Sequence, residues 1–257
     1  MLDALDHLVI AVKDLAAAAH SYERAGFTVV AGGRHPEASH NALVTFADGA
    51  YIELLAFFEA SPVHRWWRAL EQGGGLIDFC LASTDLEADA AAFRRAGVDI
   101  TDPEPGARAR PDGYQLRWLL AKPKGADRGV APFLIHDETP RAERVPRAPA
   151  HANGVSGIGT VTVAVQDTRA AGRWYESVLG KPGEPVSRPE LRAQGLAFAV
   201  GRHGVELLAP LGAAGPLADW LATRGAGPYS ARLTTAAGGG KGPLDPSLTH
   251  GARLELV

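Results

Sequence analysis

The sequence predicts an α+β protein built from repeated β-α-β-β-β units, and three observations lead to this fold class. Sliding the 257-residue chain by 71 positions aligns residues 11–26 with residues 82–97, with eight identities in 16 positions. Sliding it by 153 aligns residues 11–23 with 164–176, with seven identities in 13, and also carries the Glu-Leu-Leu-Ala of 53–56 onto 206–209. Each repeat places an apolar, β-branched run before an aspartate. We therefore expect one shared unit to organise the chain.

The first unit shows the expected elements in order. The apolar run 8–12 is typical of a strand, and Asp14 is placed to cap a helix that stops at Gly26. Asp85 and Asp167 are the corresponding helix caps of the second and third units. Three strands are predicted after the first helix, over residues 27–31, 42–46 and 51–57, with a hairpin signal at 47–49.

The second half of the chain repeats the first and then ends early. Connecting helices are predicted after Pro62 and Pro216, and a proline-rich, charged linker is predicted over 139–154. After a strand over 228–235, the glycine-rich segment 236–246 is too short for a helix followed by strands. The expected architecture is two cupped mixed β-sheet (half-barrel) domains with flanking helices, over 1–138 and 155–257, with the last module truncated.

Composition narrows the classes of function. The formal charge of −3 provides no chain-wide basic field for nucleic acid, and no apolar run reaches the roughly 18–20 residues of a membrane span. The single cysteine, Cys80, excludes an internal disulfide and a cysteine-cluster zinc site. Together with an N-terminus that carries acids instead of Lys or Arg, this leads us to expect a cytoplasmic protein that has neither nucleic acid nor membrane as a partner.

The repeated units resemble a known family. The opening Leu5-Asp6-His7-Leu8-Val9-Ile10-Ala11-Val12, the closing Tyr51-Ile52-Glu53-Leu54-Leu55 and the stretch Gly32-Gly33-Arg34-His35-Pro36 with His40-Asn41 are similar to the vicinal oxygen chelate superfamily, in its glyoxalase-like branch. The resemblance covers nearly the whole chain. It implies that paired units curl into a cup that can hold a divalent metal ion and a small oxygen-bearing ligand.

The resemblance also implies which residues hold the metal, since the family's ligands come from the first and last strands of the paired units. His7 and Glu53 take two of these positions, and the offset of 71 brings Asp78 to the position of His7. The fourth position, near 133–135, is apolar and departs from the pattern. Zn, Ni, Mn and Fe are all compatible with this set, as is no metal at all.

The loop 32–41 is the second candidate site. Arg34 and His35 could present cations to an anionic ligand, and Asn41 would line the cup with Tyr51. His40 is a candidate acid/base or ligand, beside Glu53 as a catalytic carboxylate. Plainer interpretations stay open: a histidine beside an aspartate is often a hydrogen-bonded core residue, and the loop could be a solvated hairpin.

The sequence favours a first half that carries the function. The second half has Thr160 at the position of His7 and retains Glu206, so we expect it to be structural. The leading hypothesis is a divalent-metal-dependent lyase or isomerase acting on a small carbonyl, hydroxy or carboxylate metabolite. The alternative is a metal-free protein of the bleomycin-resistance type that sequesters a small anionic or aromatic compound. A scaffold or dimerisation module is a third hypothesis, and a homodimer is left open.

Overall fold

The computed structural model describes residues 2–257, except for the side chain of Asp3. The first unit contains β1 (Leu2–Ala11), α1 (Leu15–Arg24), β2 (Val30–Arg34), β3 (Ser39–Thr45) and β4 (Tyr51–Phe57). The side chain of Asp14 caps α1 by accepting a hydrogen bond from the Ala17 amide, as predicted. β2 lies three residues later than the predicted 27–31, whereas β3 begins three residues before the predicted 42–46 and so includes His40 and Asn41.

The second unit follows a short connection. After α2 (Trp67–Glu71) come β5 (Gly75–Ser83), α3 (Leu86–Arg95), β6 (Glu104–Ala109), β7 (Gln115–Ala121) and β8 (Phe133–Asp137). The eight strands of the two units close into a barrel in the order β1-β4-β3-β2-β6-β7-β8-β5. The joint between β1 and β5 is long, whereas β2 and β6 meet only at Arg34 and Ala109. The first predicted cup is therefore a closed barrel.

The second half forms an open sheet. After α4 (Arg141–Arg144), which lies in the predicted linker, the chain continues through β9 (Val155–Ala164), α5 (Thr168–Leu179), β10 (Glu184–Arg188), β11 (Ala193–Val200), β12 (His203–Pro210), α6 (Pro216–Arg224), β13 (Gly227–Thr235), β14 (Gly242–Pro243) and β15 (Leu254–Leu256). Within the described residues, 236–253 contain no helix, which confirms the truncated last unit. The seven strands are ordered β10-β11-β12-β9-β13-β15-β14. The α+β class with paired modules is thus confirmed.

The two halves share one apolar core. Outward-facing side chains of the barrel strands pack with those of the second sheet and with helices of both halves, as in the ring contact of Phe93 with Trp174 at 5.8 Å. The hydroxyl of Tyr175 donates to the carbonyl of Val130, across the same boundary. In the described part of the chain no helix is long and apolar enough to cross a membrane. Because this core lies outside the barrel, the barrel's interior is left for other uses.

Candidate active site in the first barrel

Alternate residues of β1 and β4 face the inside of the barrel. The strands run parallel with Val9 beside Glu53 and His7 beside Tyr51, so one strand contributes an imidazole and the other a carboxylate to the same interior. The ring of Tyr51 stacks on the ring of His7 with centroids 4.6 Å apart. These residues line a cavity of about 720 Å³, a volume suited to a small-molecule ligand.

His7 is oriented by a buried carboxylate. Its Nδ1 lies 2.6 Å from Oδ1 of Asp6, which is fully buried. Burial raises the pKa of Asp6, but the charge of Arg144 and the hydrogen bonds from His7 and Arg144 outweigh it and hold this pKa well below its ordinary value. Asp6 is therefore an ionised acceptor, and Nδ1 of His7 is the donor. This leaves the lone pair of Nε2 free to face the cavity.

Glu53 lies between His7 and Asn41 at the inner end of the cavity. Its Oε2 lies 3.6 Å from Nε2 of His7, and its Oε1 accepts a 2.6 Å hydrogen bond from Nδ2 of Asn41. The side chain of Arg108 donates to Oδ1 of Asn41 at 3.3 Å, which fixes the orientation of the amide. Glu53 is only 5% exposed, so its carboxylate is buried inside the barrel. The predicted ligands His7 and Glu53 lie side by side.

Asn41 needs a glycine beside it. A Cβ atom on Gly32 would lie 2.0 Å from Oδ1 of Asn41, well inside van der Waals contact. The structure shows that Gly32 makes room for the amide that holds Glu53.

His35 approaches Glu53 from the turn between β2 and β3. Its Nε2 lies 3.8 Å from Oε1 of Glu53, and its Nδ1 lies 2.9 Å from the hydroxyl of Ser39. Burial lowers the pKa of His35 to about 4, helped by the charges of Arg108 and His64 and opposed by Glu53 and Glu37. His35 is therefore neutral at pH 7 and does not present the cation that the sequence suggested.

The walls of the cavity are apolar and its mouth is charged. Trp66, Trp118 and Phe133 contribute rings, and Leu55, Leu120 and Ile135 contribute aliphatic surface. Arg117, Lys122, Glu37 and Glu138 lie on the same lining. Phe133 stands opposite Cys80 in the parallel β5–β8 pair, as Glu53 stands opposite Val9 in β1–β4, so it occupies the equivalent of Glu53 in the second unit. The fourth ligand position is apolar, as predicted.

Asp78 is buried, but other groups occupy its oxygens. Its Oδ2 accepts from Nη2 of Arg65 at 2.9 Å and from the indole nitrogen of Trp66 at 2.8 Å. Burial raises the pKa of Asp78, and the neighbouring Arg65 opposes that rise. The structure does not bring Asp78 into contact with His7 or Glu53, because a charged partner and an indole already satisfy the carboxylate. With its oxygens bound in this way, Asp78 is a poor candidate for a metal ligand.

Arg34 and His40 lie away from the cavity. They stand opposite each other in the β2–β3 pair, and both pack on Phe58, with the guanidinium of Arg34 4.4 Å from its ring centroid. Strand alternation explains the placement, since Asn41 points inward and its neighbour His40 must point outward. The expected catalytic role of His40 and the expected ligand-binding role of Arg34 are therefore not supported by their positions.

A second group of metal-type atoms lies beneath His7. Ligand atoms of Asp6, His7 and Cys80 are within 4.8 Å of one another. However, Asp6 is bound by Arg144 and Arg141, and Nδ1 of His7 already donates to it. Burial raises the pKa of the Cys80 thiol well above its ordinary value. Since a metal requires the thiolate, this group is better explained as the hydrogen-bonded support of His7.

Sequence reasoning missed two arginines of the site. Arg108 and Arg144 are both buried, and together they contact Asp6, Asn41 and Tyr51. Both belong to residues 108–147, a stretch with nine Lys or Arg against five Asp or Glu. That excess of positive charge is the signal in the sequence that points to this stretch.

The second half lacks this arrangement. Glu206 pairs with Thr162 as Glu53 pairs with Val9, so Thr160 takes the position of His7. Glu206 is bound by Arg188 and Arg232, both of which reach its Oε1. Two guanidinium groups thus stand where an imidazole would be needed.

The paired modules, with an imidazole on the first strand and a carboxylate on the fourth, define a vicinal oxygen chelate protein. Residues 5–179 match the family described as a glyoxalase-like domain, and the chain belongs to that family. A curated relative, bovine mitochondrial methylmalonyl-CoA epimerase, is 41% identical over 71 residues, which are 27% of this chain and 41% of the epimerase. The chain thus spans about two fifths of that relative's length.

Solved structures share the fold over the whole chain. A hypothetical protein from Staphylococcus aureus superposes with a TM-score of 0.73 at 16% identity, covering 100% of this chain and 99% of that one. A mutant of 4-hydroxymandelate synthase from Streptomyces coelicolor gives a TM-score of 0.63 at 15% identity, covering 91% of this chain and 71% of the synthase. At these identities the likeness concerns the fold.

Proposed function

We propose that the first barrel is the active site of a divalent-metal-dependent lyase or isomerase acting on a small oxygenated metabolite. One observation carries the proposal: Nε2 of His7 and Oε2 of Glu53 lie 3.6 Å apart at the inner end of the cavity. Ligands about 2.0–2.2 Å from one ion stand roughly 2.8–3.1 Å apart at octahedral angles and roughly 3.3–3.6 Å apart at tetrahedral angles. The pair therefore fits a shared ion with little movement.

The chemistry of the donors supports the same interpretation. The bond from His7 Nδ1 to Asp6 fixes the tautomer that leaves Nε2 unprotonated, which is the arrangement found behind metal-bound histidines. An imidazole and a carboxylate suit a borderline divalent ion such as Zn, Ni, Mn or Fe. Such an ion supplies Lewis acidity toward a carbonyl or hydroxyl oxygen. With two protein ligands, coordination positions remain open toward the cavity.

The remaining residues divide the other tasks. We assign proton transfer to His35, because its imidazole is neutral at pH 7 and its ring is held by Ser39. Asn41 and Arg108 fix the orientation of Glu53. The walls formed by Trp118 and Phe133 exclude water and accept an apolar part of the ligand.

The metal-binding part of the proposal is tested on full-length protein purified without chelator. We expect near one equivalent of a divalent ion by elemental analysis, and one Co²⁺ site by isothermal titration. His7→Ala should abolish this site, whereas His20→Ala, which removes an exposed helical histidine, should keep it. Absence of binding in the wild type, or unchanged binding in His7→Ala, would refute the proposal.

The catalytic part is tested by proton exchange. Metal-loaded protein is incubated in D₂O with a panel of small 2-oxo and 2-hydroxy acids and aldehydes, and loss of the proton next to the carbonyl or hydroxyl carbon is followed by NMR. We expect exchange with at least one class of compound. His35→Gln should slow it at least tenfold while Co²⁺ affinity changes little. Exchange that persists unchanged in His35→Gln would remove His35 from the mechanism.

A metal-free binding protein is the second candidate function. Phe133 at the fourth ligand position and the neutralisation of Asp78 by Arg65 favour it, since both reduce the set of metal ligands. Under this alternative the apolar cavity would bind an aromatic or anionic compound with equal affinity in the presence and absence of a chelator. Titration of aromatic acids with and without EDTA separates the two functions.

A further inference from the structure

Arg144, in the segment between the two sheets, is buried beneath the candidate site. It ends α4, and only 1% of its surface is exposed. Its guanidinium donates to both oxygens of Asp6, at 3.0 and 2.8 Å, and to both oxygens of Asp137, at 2.5 and 2.9 Å. A fifth bond, of 2.8 Å, reaches the hydroxyl of Tyr51. The planar fork of arginine allows these contacts at once.

One chain of contacts leads from this guanidinium to His7. Arg144 holds the carboxylate of Asp6, and Asp6 accepts from Nδ1 of His7. Arg144 also fixes Tyr51, whose ring stacks on the ring of His7 at an interplanar angle of 16°. Both the tautomer and the plane of the imidazole are thereby set from one residue.

A second chain leads from the backbone of the same residue to Glu53. The carbonyl oxygen of Arg144 accepts a 2.8 Å hydrogen bond from Nη2 of Arg108. Through Nη1, Arg108 donates to Oδ1 of Asn41, and Nδ2 of Asn41 donates to Oε1 of Glu53. Each step is directional, because the carbonyl can only accept and the guanidinium can only donate.

We propose that Arg144 is the shared positioning residue of the site, acting on His7 through its side chain and on Glu53 through its carbonyl oxygen. The segment between the sheets thereby becomes part of the active site. The metal-affinity half of this inference rests on the proposed function, whereas the control of the His7 ring does not. The two chains are separable, because substitutions of Arg144 remove the first and leave its backbone carbonyl in place.

The test uses the full chain in two states. In metal-free protein, ¹⁵N NMR of the histidine rings reports the tautomer of His7 and the downfield proton on its Nδ1. In a Co²⁺ titration, the visible spectrum and the affinity report the assembled site. Arg144→Lys keeps the charge but cannot bond Asp6, Asp137 and Tyr51 together. The matched control is Arg232→Lys, an equal change on an arginine that binds Glu206 in the second half.

We expect Arg144→Lys to broaden or shift the Nδ1 proton of His7 and to weaken Co²⁺ binding about 10- to 100-fold, the usual range for groups that orient a metal ligand. Arg108→Met should weaken Co²⁺ binding but leave the His7 signals unchanged. Arg232→Lys should alter neither measurement. If Arg144→Lys does not fold, Asp6→Asn interrupts the same chain one step later and should give the same change at His7.

Two results would overturn the inference. The first is a folded Arg144→Lys or Asp6→Asn protein whose His7 ring signals match those of the wild type. The second is a change in the His7 signals of Arg232→Lys as large as that in Arg144→Lys, since the effect would then be general loosening of the fold. A wild type that binds no Co²⁺ would instead refute the proposed function, and the metal-free NMR would still decide the role of Arg144.

Discussion

Exchanging Glu206 for Gln and Glu53 for Gln separates the roles of the two halves, because the residues hold equivalent strand positions with opposite surroundings. The carboxylate of Glu206 receives hydrogen bonds from two arginines, Arg188 and Arg232. The carboxylate of Glu53 receives one, from the neutral amide of Asn41. We expect Glu206→Gln to lower stability without affecting ligand binding. We expect Glu53→Gln to abolish binding with little change in stability.

The magnitude follows from the contacts of Glu206. Gln keeps one acceptor oxygen but loses the charge, and its amide group faces guanidinium donors. A hydrogen bond to a charged group contributes about 1.5–3 kcal/mol. The side chains of Arg188 and Arg232 are 26% and 32% exposed, so solvent screens part of this. A net loss of about 2 kcal/mol corresponds to a fall of about 4–8 °C in the thermal midpoint of a chain of this size.

For Glu53 the expected change in stability is small. Among the described residues, no lysine or arginine lies within salt-bridge distance of its carboxylate, and Gln nearly conserves its volume and can still accept from Asn41. Its amide nitrogen can face Nε2 of His7. We expect a midpoint within about 3 °C of the wild type, and loss of Co²⁺ binding.

Calorimetry of the two metal-free variants gives the midpoints, and isothermal titration with Co²⁺ gives the binding. The two variants are each other's controls, because the chemical change is identical. A larger fall in midpoint for Glu53→Gln than for Glu206→Gln would show that we have misjudged which carboxylate supports the fold. Loss of Co²⁺ binding in Glu206→Gln but not in Glu53→Gln would show that the site lies in the second half.

Three further predictions concern the interior of the barrel. Burial lowers the pKa of His35 to about 4, below the 6.5 of an unfolded chain, so the unfolded state binds a proton first as the pH falls. Metal-free protein should therefore lose about 3 kcal/mol of stability between pH 6.5 and pH 4, and His35→Gln should lose less. Urea unfolding at pH 7 and pH 4.5 measures both. Gly32→Ala should displace Asn41, costing about 1–3 kcal/mol in urea unfolding and about tenfold in Co²⁺ affinity. Cys80 should react with a thiol reagent only after unfolding, because its buried thiol resists ionisation.

Each of these has a contrary outcome. Equal pH slopes in the wild type and His35→Gln would mean that His35 titrates normally. Wild-type Co²⁺ affinity in Gly32→Ala would mean that Asn41 does not set the position of Glu53. Rapid labelling of Cys80 in native protein would mean that the barrel opens readily at β5.

The repeat made much of the fold predictable, because an offset between similar segments transfers every element from one unit to the next. The family resemblance named His7 and Glu53, and the register of parallel β1 and β4 brings these two side chains to the same interior. The site residues that sequence reasoning misplaced depend on where a strand begins. Once β3 begins at Ser39, alternation turns Asn41 inward and His40 outward, and local sequence does not determine that starting residue.

Other parts of the site depend on partners distant along the chain. Asp78 has a ligand's chemistry and a family position, but Arg65 and Trp66 reach it from the preceding connection. Arg144 lies in a segment whose prolines and charges are typical of a solvated linker, yet it binds Asp6, 138 residues away. Such pairings come from tertiary packing, which one sequence without aligned homologues does not reveal.

The two joints between the units of the first barrel differ greatly in length. The two units pair along β1 and β5 over eight residue pairs, whereas the described residues of β2 and β6 pair as strands only at Arg34 and Ala109. His35 and Arg108 flank the Arg34–Ala109 pair, and they contact Glu53 and Asn41, respectively. The shorter joint of the barrel is thus also the side on which the groups around Glu53 are held, so the stability of that joint and the geometry of the site depend on the same few residues.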